Sequence, residues 1–282
     1  MNGILIINKP KGLTSHDVVS RVRRILHTKK VGHAGTLDPI ATGVLVVLVG
    51  KATKLSDRFL CEKKRYRAGF MLGIETDTYD ITGNILSKKN ISVSKLELLK
   101  CIESFCGKIT QVPPMYSAIK VGGKKLYELA RRGITVECKP RNIEIYNISL
   151  CDDNTLDISC SKGTYIRSLI HDIGEYLGCG AVMTELTRLE SGDFCIEDSV
   201  TLEDLECDGF EKCSISIDDV IKVPKVTVDG ENERKIKNGN VIMFEGIDGE
   251  CKVFAADGTL LCVATGNTLE IKPDIMLYEG IL

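Results

Sequence analysis

Six consecutive apolar residues, Val44–Val49, four of them valine, set the tightest limit on how this chain can fold. A β-branched run of that length between Gly43 and Gly50 is too short for a core helix and suits a strand. Gly3–Asn8 (GILIIN) reads as a second buried strand, stopped by Lys9-Pro10-Lys11-Gly12. Thr14 or Ser15 can cap a helix running to about His27, with Val18, Val22, Ile25 and Leu26 on one face and Arg21 and Arg24 elsewhere. The segment GHAGTLDP, residues 32–39, is too rich in Gly and Pro for a regular element and is expected as a shaped loop.

Further along, Lys64–Leu72 alternates Arg65 and Arg67 with Tyr66, Ala68 and Phe70, the pattern of a half-exposed strand. Ser94–Phe105 and Lys124–Arg132 read as helices. Ile143–Leu150 and Thr155–Cys160 read as paired strands around the turn Asp152-Asp153-Asn154, and Thr164–Leu177 as an amphipathic helix. Strands and helices mix without strict βαβ alternation, which favours α+β over a doubly wound sheet. The chain turns acidic from Glu197 to Asp219 and then meets Pro224, the expected domain boundary. Short strands follow at Val241–Phe244, Cys251–Ala255, Leu260–Ala264 and Met276–Tyr278, implying a small all-β module of about 50 residues.

The net charge of −2 conceals a strong asymmetry. Residues 1–150 carry 26 Lys/Arg and 12 Asp/Glu, a net of +14, whereas residues 151–282 carry 11 and 27, a net of −16. The cations cluster at Arg21–Lys30, Lys63–Arg67 and Lys120–Arg132, as a phosphate backbone rewards. Other chemistries fit less well. The 12 cysteines contain no CxxC and none of the four histidines stands at zinc-finger spacing, so reduced, mostly buried thiols are expected rather than a metal site. Gly43 and Gly50 flank six strand-forming residues, and Ala52 follows Lys51, which excludes a phosphate-binding Walker loop. Neither a run of about 18 apolar residues nor a signal peptide is visible, so the expected location is the cytoplasm.

Asp38 is the carboxylate of interest, held between a Gly-rich turn and Pro39 just before an apolar strand. A loop aspartate of this kind either stabilises its own turn or stands at the rim of a sheet as a reactive group. His33 precedes it by five residues. Tyr66, flanked by Arg65 and Arg67, is either a core tyrosine or a stacking platform for a base whose phosphates the guanidiniums hold. Lys162-Gly163-Thr164-Tyr165-Ile166-Arg167 opens a helix whose backbone could hold a phosphate, and Arg167 could pair with a carboxylate across the site.

GHAGTLDPIATGVLVVLVGKATK resembles the catalytic block of the bacterial tRNA pseudouridine-55 synthases of the TruB family. INKPKGLTSHDVV resembles that family's opening KPxG motif, and KRYRAGFMLGIETDTYDITG its Tyr-containing strand and TDT turn. PPMYSAIKVGGKKLYELARRGI and CSKGTYIRSLIHDIGEYLGCGAVMTELTRLESGDF resemble two further blocks in order, so the likeness covers most of residues 3–194. Val46, where the family often has Pro, and His171 depart from the pattern outside the matched catalytic positions.

The resemblance implies a mixed, largely antiparallel sheet flanked by helices over residues 1–223. It also implies a basic T-loop-gripping insert at about 106–141, centred on Gly122–Arg132, and a small β-rich, PUA-like RNA-binding domain at 224–282. It implies Asp38 as the catalytic Asp, and His33 as the residue that engages the RNA as the base leaves its stack. Tyr66 is implied as the ring stacked on the flipped uracil and Tyr165 as a wall of the base pocket. Arg167 is implied as the partner of Asp38 and Leu186 as an apolar support beneath the base. The implied substrate is the tRNA T-arm, with no cofactor, metal or guide RNA, acted on by a monomer. Whether Asp38 attacks C1′, attacks C6 or removes a sugar proton stays open. The alternatives are an RNA-binding, tRNA-folding chaperone, or a pseudouridine synthase for another RNA.

Overall fold

A computed structural model of the chain describes residues 1–60 and 63–278. Eight strands of its larger sheet position the site: β1 (Gly3–Lys9), β2 (Val31–Ala34), β3 (Thr42–Val49), β4 (Lys64–Leu72), β5 (Gly107–Gln111), β6 (Arg141–Asp152), β7 (Thr155–Cys160) and β8 (Ala181–Ser191). Three helices matter most: α1 (Ser15–Ile25), α2 (Lys95–Ser104) and α3 (Ile166–Tyr176). The main path of the sheet runs Ser214–Ile215, β1, β3, β8, β4, β7, β6, β5, while β2 joins β3 and Phe194–Cys195 joins β8 off that path. Its pairings are antiparallel except where β8 meets β3 at Thr187–Thr42 and Arg188–Gly43.

The two apolar runs lie side by side, Ile4 opposite Leu48 and Ile6 opposite Val46, because each is buried on both faces. Leu5, Ile7, Leu45, Val47 and Val49 join Val18 and Val22 of α1 in one core. Ile4, Ile6, Val44, Val46 and Leu48 face the other way onto Phe59, Phe194 and Ile217. Each such side chain contributes about 1.5–3 kcal/mol of burial, so these strands form the keel of the sheet. Helix α1 starts where Thr14 accepts the Asp17 amide and the Asp17 carboxylate accepts the Thr14 amide. Ser94 and Glu97 open α2 in the same way.

The second, five-stranded sheet spans Lys225–Met276 and has its own core around Val253, Leu261 and Ile271. Val263 and Leu277 from this region enter the core behind β1 and β3, and Arg58 pairs with Glu250. No described helix is long and apolar enough to cross a membrane.

Several sequence expectations change. The 32–39 segment is not all loop, since Val31–Ala34 pairs with the outer half of β3. Only Leu126–Ala130 of the expected Lys124–Arg132 helix is helical, because Lys124 and Lys125 pair with Lys120 and Val121 in a hairpin. In the last module a strand covers Glu270–Met276 rather than Met276–Tyr278, and a helix occupies Gly230–Lys237.

Candidate functional site

One long edge of β3 is shared. β2 takes Val46–Val49 and β8 takes Thr42 and Gly43. Residues 35–41 bulge out at this fork. The Ser15 hydroxyl accepts the Leu37 amide at 2.8 Å and donates to the Leu37 carbonyl at 3.2 Å, while the Leu37 side chain is buried. The Gly12 amide donates to the Pro39 carbonyl, and the Ala41 amide to the Asp38 carbonyl. The loop backbone is therefore tied down on both sides, and the Asp38 side chain, 35% exposed, is what it presents.

Opposite stands Arg167 in the first turn of α3, only 5% exposed. Its Nε donates to Asp38 Oδ2 at 2.9 Å, one Nη to the Thr78 carbonyl at 3.0 Å and the other to the Tyr116 carbonyl at 2.8 Å. A second carboxylate, buried Asp80, lies 3.7 Å from the guanidinium and accepts from the Thr78 and Thr82 hydroxyls and the Thr82 amide. All three guanidinium nitrogens are thus engaged, which orients the Asp38 carboxylate.

A cleft of about 320 Å³ opens on this pair. Asp38, Tyr66, Tyr165, Arg167 and Leu186 all line it, with Ser117 and Ala118 forming part of one wall. Asp38 is the only carboxylate among the described lining residues. Tyr66 lies opposite Arg188 in the β4–β8 register and is buried; burial raises its phenol above the ordinary value, partly opposed by the Arg188 charge. Leu186 and Arg188, two apart on β8, point to the same face. Tyr165 precedes α3, and Gln111 at the end of β5 both accepts its amide and donates to its carbonyl. Burial raises the Tyr165 phenol as well.

His33 is the exception. It sits on β2 opposite Val47, outside the cleft lining, and its buried Nδ1 has no hydrogen-bond partner among the described atoms. Burial, aided by Arg188 and His16, pushes it below the usual histidine value, so it is neutral at pH 7. Arg65 is also not free for phosphates: it makes ion pairs with Asp157 and Glu190 at 2.8 and 2.9 Å. In the stretch before α3, Gln111 takes the Tyr165 amide, while Lys162, Gly163 and Thr164 line the cleft.

Sequence reasoning misses Lys9, Asp80, Gln111 and Arg188. Lys9 and Arg188 stand inside the KPKG and LTRL segments, but only tertiary burial reveals their importance. Lys9 Nζ donates to the Pro10 and Leu13 carbonyls, and burial lowers its pKa to about 8 despite Asp38 nearby. Since the ordinary value is 10.5, the unfolded chain holds this proton more tightly between pH 8 and 10.5. The Lys9 contribution to stability must then rise with pH across that window. Denaturant titrations of wild type and Lys9→Met should show the wild type gaining relative stability from pH 7 to pH 10.

Residues 23–166 match the TruB family pseudouridylate synthase (N terminal domain), and residues 167–222 match the tRNA pseudouridylate synthase B C-terminal domain. A tRNA pseudouridine synthase B of Clostridium kluyveri is 49% identical over 87% of this chain and 86% of its own length. Another, of Clostridium novyi, is 48% identical over 98% of this chain and all of its own. Among solved structures, a chain of a Cbf5–Nop10–Gar1 complex superposes with a TM-score of 0.72 at 27% identity, covering 98% of this chain and 85% of that one. A chain of an archaeal box H/ACA Nop10–Cbf5 complex gives 0.67 at 26% identity, covering 98% and 86%.

Proposed function

The chain belongs to the TruB family of pseudouridine synthases, and from that premise we propose that it isomerises the uridine at position 55 in the tRNA T-loop, with Asp38 as the carboxylate that acts on the nucleotide. Uridine-to-pseudouridine isomerisation in tRNA is the activity of the family relatives by name. One observation carries the residue assignment: Asp38 is the sole carboxylate among the described residues of the cleft, and Arg167 orients it through a 2.9 Å hydrogen bond.

The remaining roles follow from position. A uridine leaving its stack costs a few kcal/mol. Stacking on Tyr66 offsets about 1–3 kcal/mol of that. Leu186 supports the ring from β8 and Tyr165 closes the side. His33, half-buried outside the cleft, is the residue we assign to engaging the RNA as the base is extruded. The C1′–N1 bond breaks, the ring turns over and C5 joins C1′. We place this chemistry in residues 1–223 and read 224–282 as an accessory, PUA-like β-module. The enzyme acts without a guide RNA on this reading.

The insert supplies the grip. Lys120, Lys124, Arg131 and Arg132 stand on it, and Tyr127 lies against both Lys125 and Arg131, at 5.4 and 5.5 Å. Changing Lys124, Lys125, Arg131 and Arg132 together to Ala should weaken tRNA binding. It should also flatten the salt dependence by about 0.7–0.9 in log–log slope for each phosphate no longer neutralised. Filter binding across a salt series checks this. Substrate choice is tested with isolated RNA hairpins. A T-arm stem-loop should be converted and an anticodon stem-loop left unmodified; the reverse result would move the target elsewhere in the tRNA.

A further inference from the structure

Two buried cations beneath the cleft form no ion pair among the described residues. Arg188, 1% exposed, donates from Nε to the Val44 carbonyl at 2.7 Å and from Nη2 to the Gly35 carbonyl at 3.1 Å. Lys9, also fully buried, donates to the Pro10 and Leu13 carbonyls. Taking a guanidinium out of water costs several kcal/mol, and proteins usually offset that with a carboxylate. The other buried arginine of the cleft, Arg167 on α3, follows that rule, with Asp38 at 2.9 Å and Asp80 at 3.7 Å. Arg188 is held by carbonyl dipoles and faces the Tyr66 ring across the β4–β8 register.

The two acceptors are informative. Gly35 is where the Asp38 loop leaves β2, and Val44 lies just after the loop has entered β3. The guanidinium therefore staples the neck of the loop that presents Asp38. Its charge meanwhile reaches the cleft, which it lines together with Tyr66 and Leu186.

We propose that Arg188 is a positioning residue with a second duty: it fixes the Asp38 loop, and its charge, not cancelled by an ion pair, stabilises the negative charge that the uracil carries once its bond to the sugar has broken. The proposal rests on the isomerase reading above. When C1′–N1 breaks, its electron pair stays with the ring, leaving uracil as an anion delocalised over N1 and the carbonyl oxygens. C5 then bonds to C1′, the C5 proton departs, and N1 takes up a proton, so the reaction closes without any co-reactant. A cation already buried and oriented needs no reorganisation when that anion forms. A carboxylate partner for Arg188 would cancel this benefit, which accounts for carbonyl ligands in place of one.

The test compares Arg188→Lys, which keeps the charge, with Arg188→Met, which keeps bulk but removes it. Single-turnover rates on a tRNA transcript, KM for tRNA and thermal melting are measured for both. The expected result is a rate within about tenfold of wild type for the Lys variant and a loss of about 10²-fold or more for the Met variant, with KM changed by less than about threefold. Equal losses in both variants, or a loss confined to KM or melting, would overturn the proposal. Should the Met variant fail to fold, the Lys variant decides alone: a normally melting Lys variant that loses about 10²-fold in rate contradicts the charge role. Wild type that forms no pseudouridine would instead bring down the isomerase reading itself.

Discussion

Asn in place of Asp38 is expected to reduce single-turnover pseudouridine formation by at least about 10³-fold while leaving tRNA affinity within about threefold. Asn has the same shape and its carbonyl oxygen can still accept from Arg167 Nε, so the loop geometry survives. The negative charge is lost, and with it any ability to act as nucleophile or base. Arg167 would keep Asp80 at 3.7 Å and its two carbonyl acceptors, so the variant should fold and bind normally. A rapid-quench time course with filter binding on the same preparations separates the two quantities. Turnover close to wild type would remove Asp38 from the chemistry.

The second large effect is expected at Gly43. Its φ of +94° belongs to the left-handed region, and a Cβ there would stand 2.2 Å from the Arg188 carbonyl oxygen and 2.9 Å from the Arg188 amide. Both offending atoms are backbone, so no side chain can swing away. An L-residue in that conformation alone costs about 1–2 kcal/mol. Separating β3 from β8 adds the loss of the parallel pairing that closes the sheet behind the Asp38 loop. Gly43→Ala should therefore destabilise the protein by about 3–5 kcal/mol. That corresponds to a fall of roughly 10 °C in Tm for a chain of this size. Turnover at low temperature, where the variant is still folded, should also fall, since the Asp38 loop is anchored at this junction. An unchanged Tm would show that the strands can part here without cost.

Much of the frame is legible in the sequence because it follows from local pattern. GILIIN and VLVVLV read as strands since burial on both faces makes nearly every position apolar. Helix α1 is readable from its cap and its apolar face. Strand β8 is not: Ala181–Ser191 contains Glu185, Arg188 and Glu190, and bulges at 183–185 and 188–190 break the period of two. The strand at 31–34 is hidden because pairing to β3, not composition, makes it one.

The site divides similarly. Asp38 stands out by its loop, and the family likeness places Tyr66, Tyr165, Arg167 and Leu186 beside it. Nothing local announces that Arg167, 129 residues away, is also gripped by the Thr78 and Tyr116 carbonyls. Nor does the sequence reveal that Arg65, which looks like a phosphate ligand beside Tyr66, is already occupied by Asp157 and Glu190. Such facts belong to tertiary structure, where charge pairing is decided by which strands become neighbours.

The proposed isomerisation of one T-loop uridine of tRNA through Asp38 can be read out at nucleotide resolution by mapping pseudouridine along the whole molecule. An unmodified tRNA transcript is incubated with wild type or with Asp38→Asn and then mapped. Wild type should convert position 55 alone, nearly to completion, and the variant should convert nothing. Conversion at a different uridine, or equal conversion by the variant, would contradict this reading of the site.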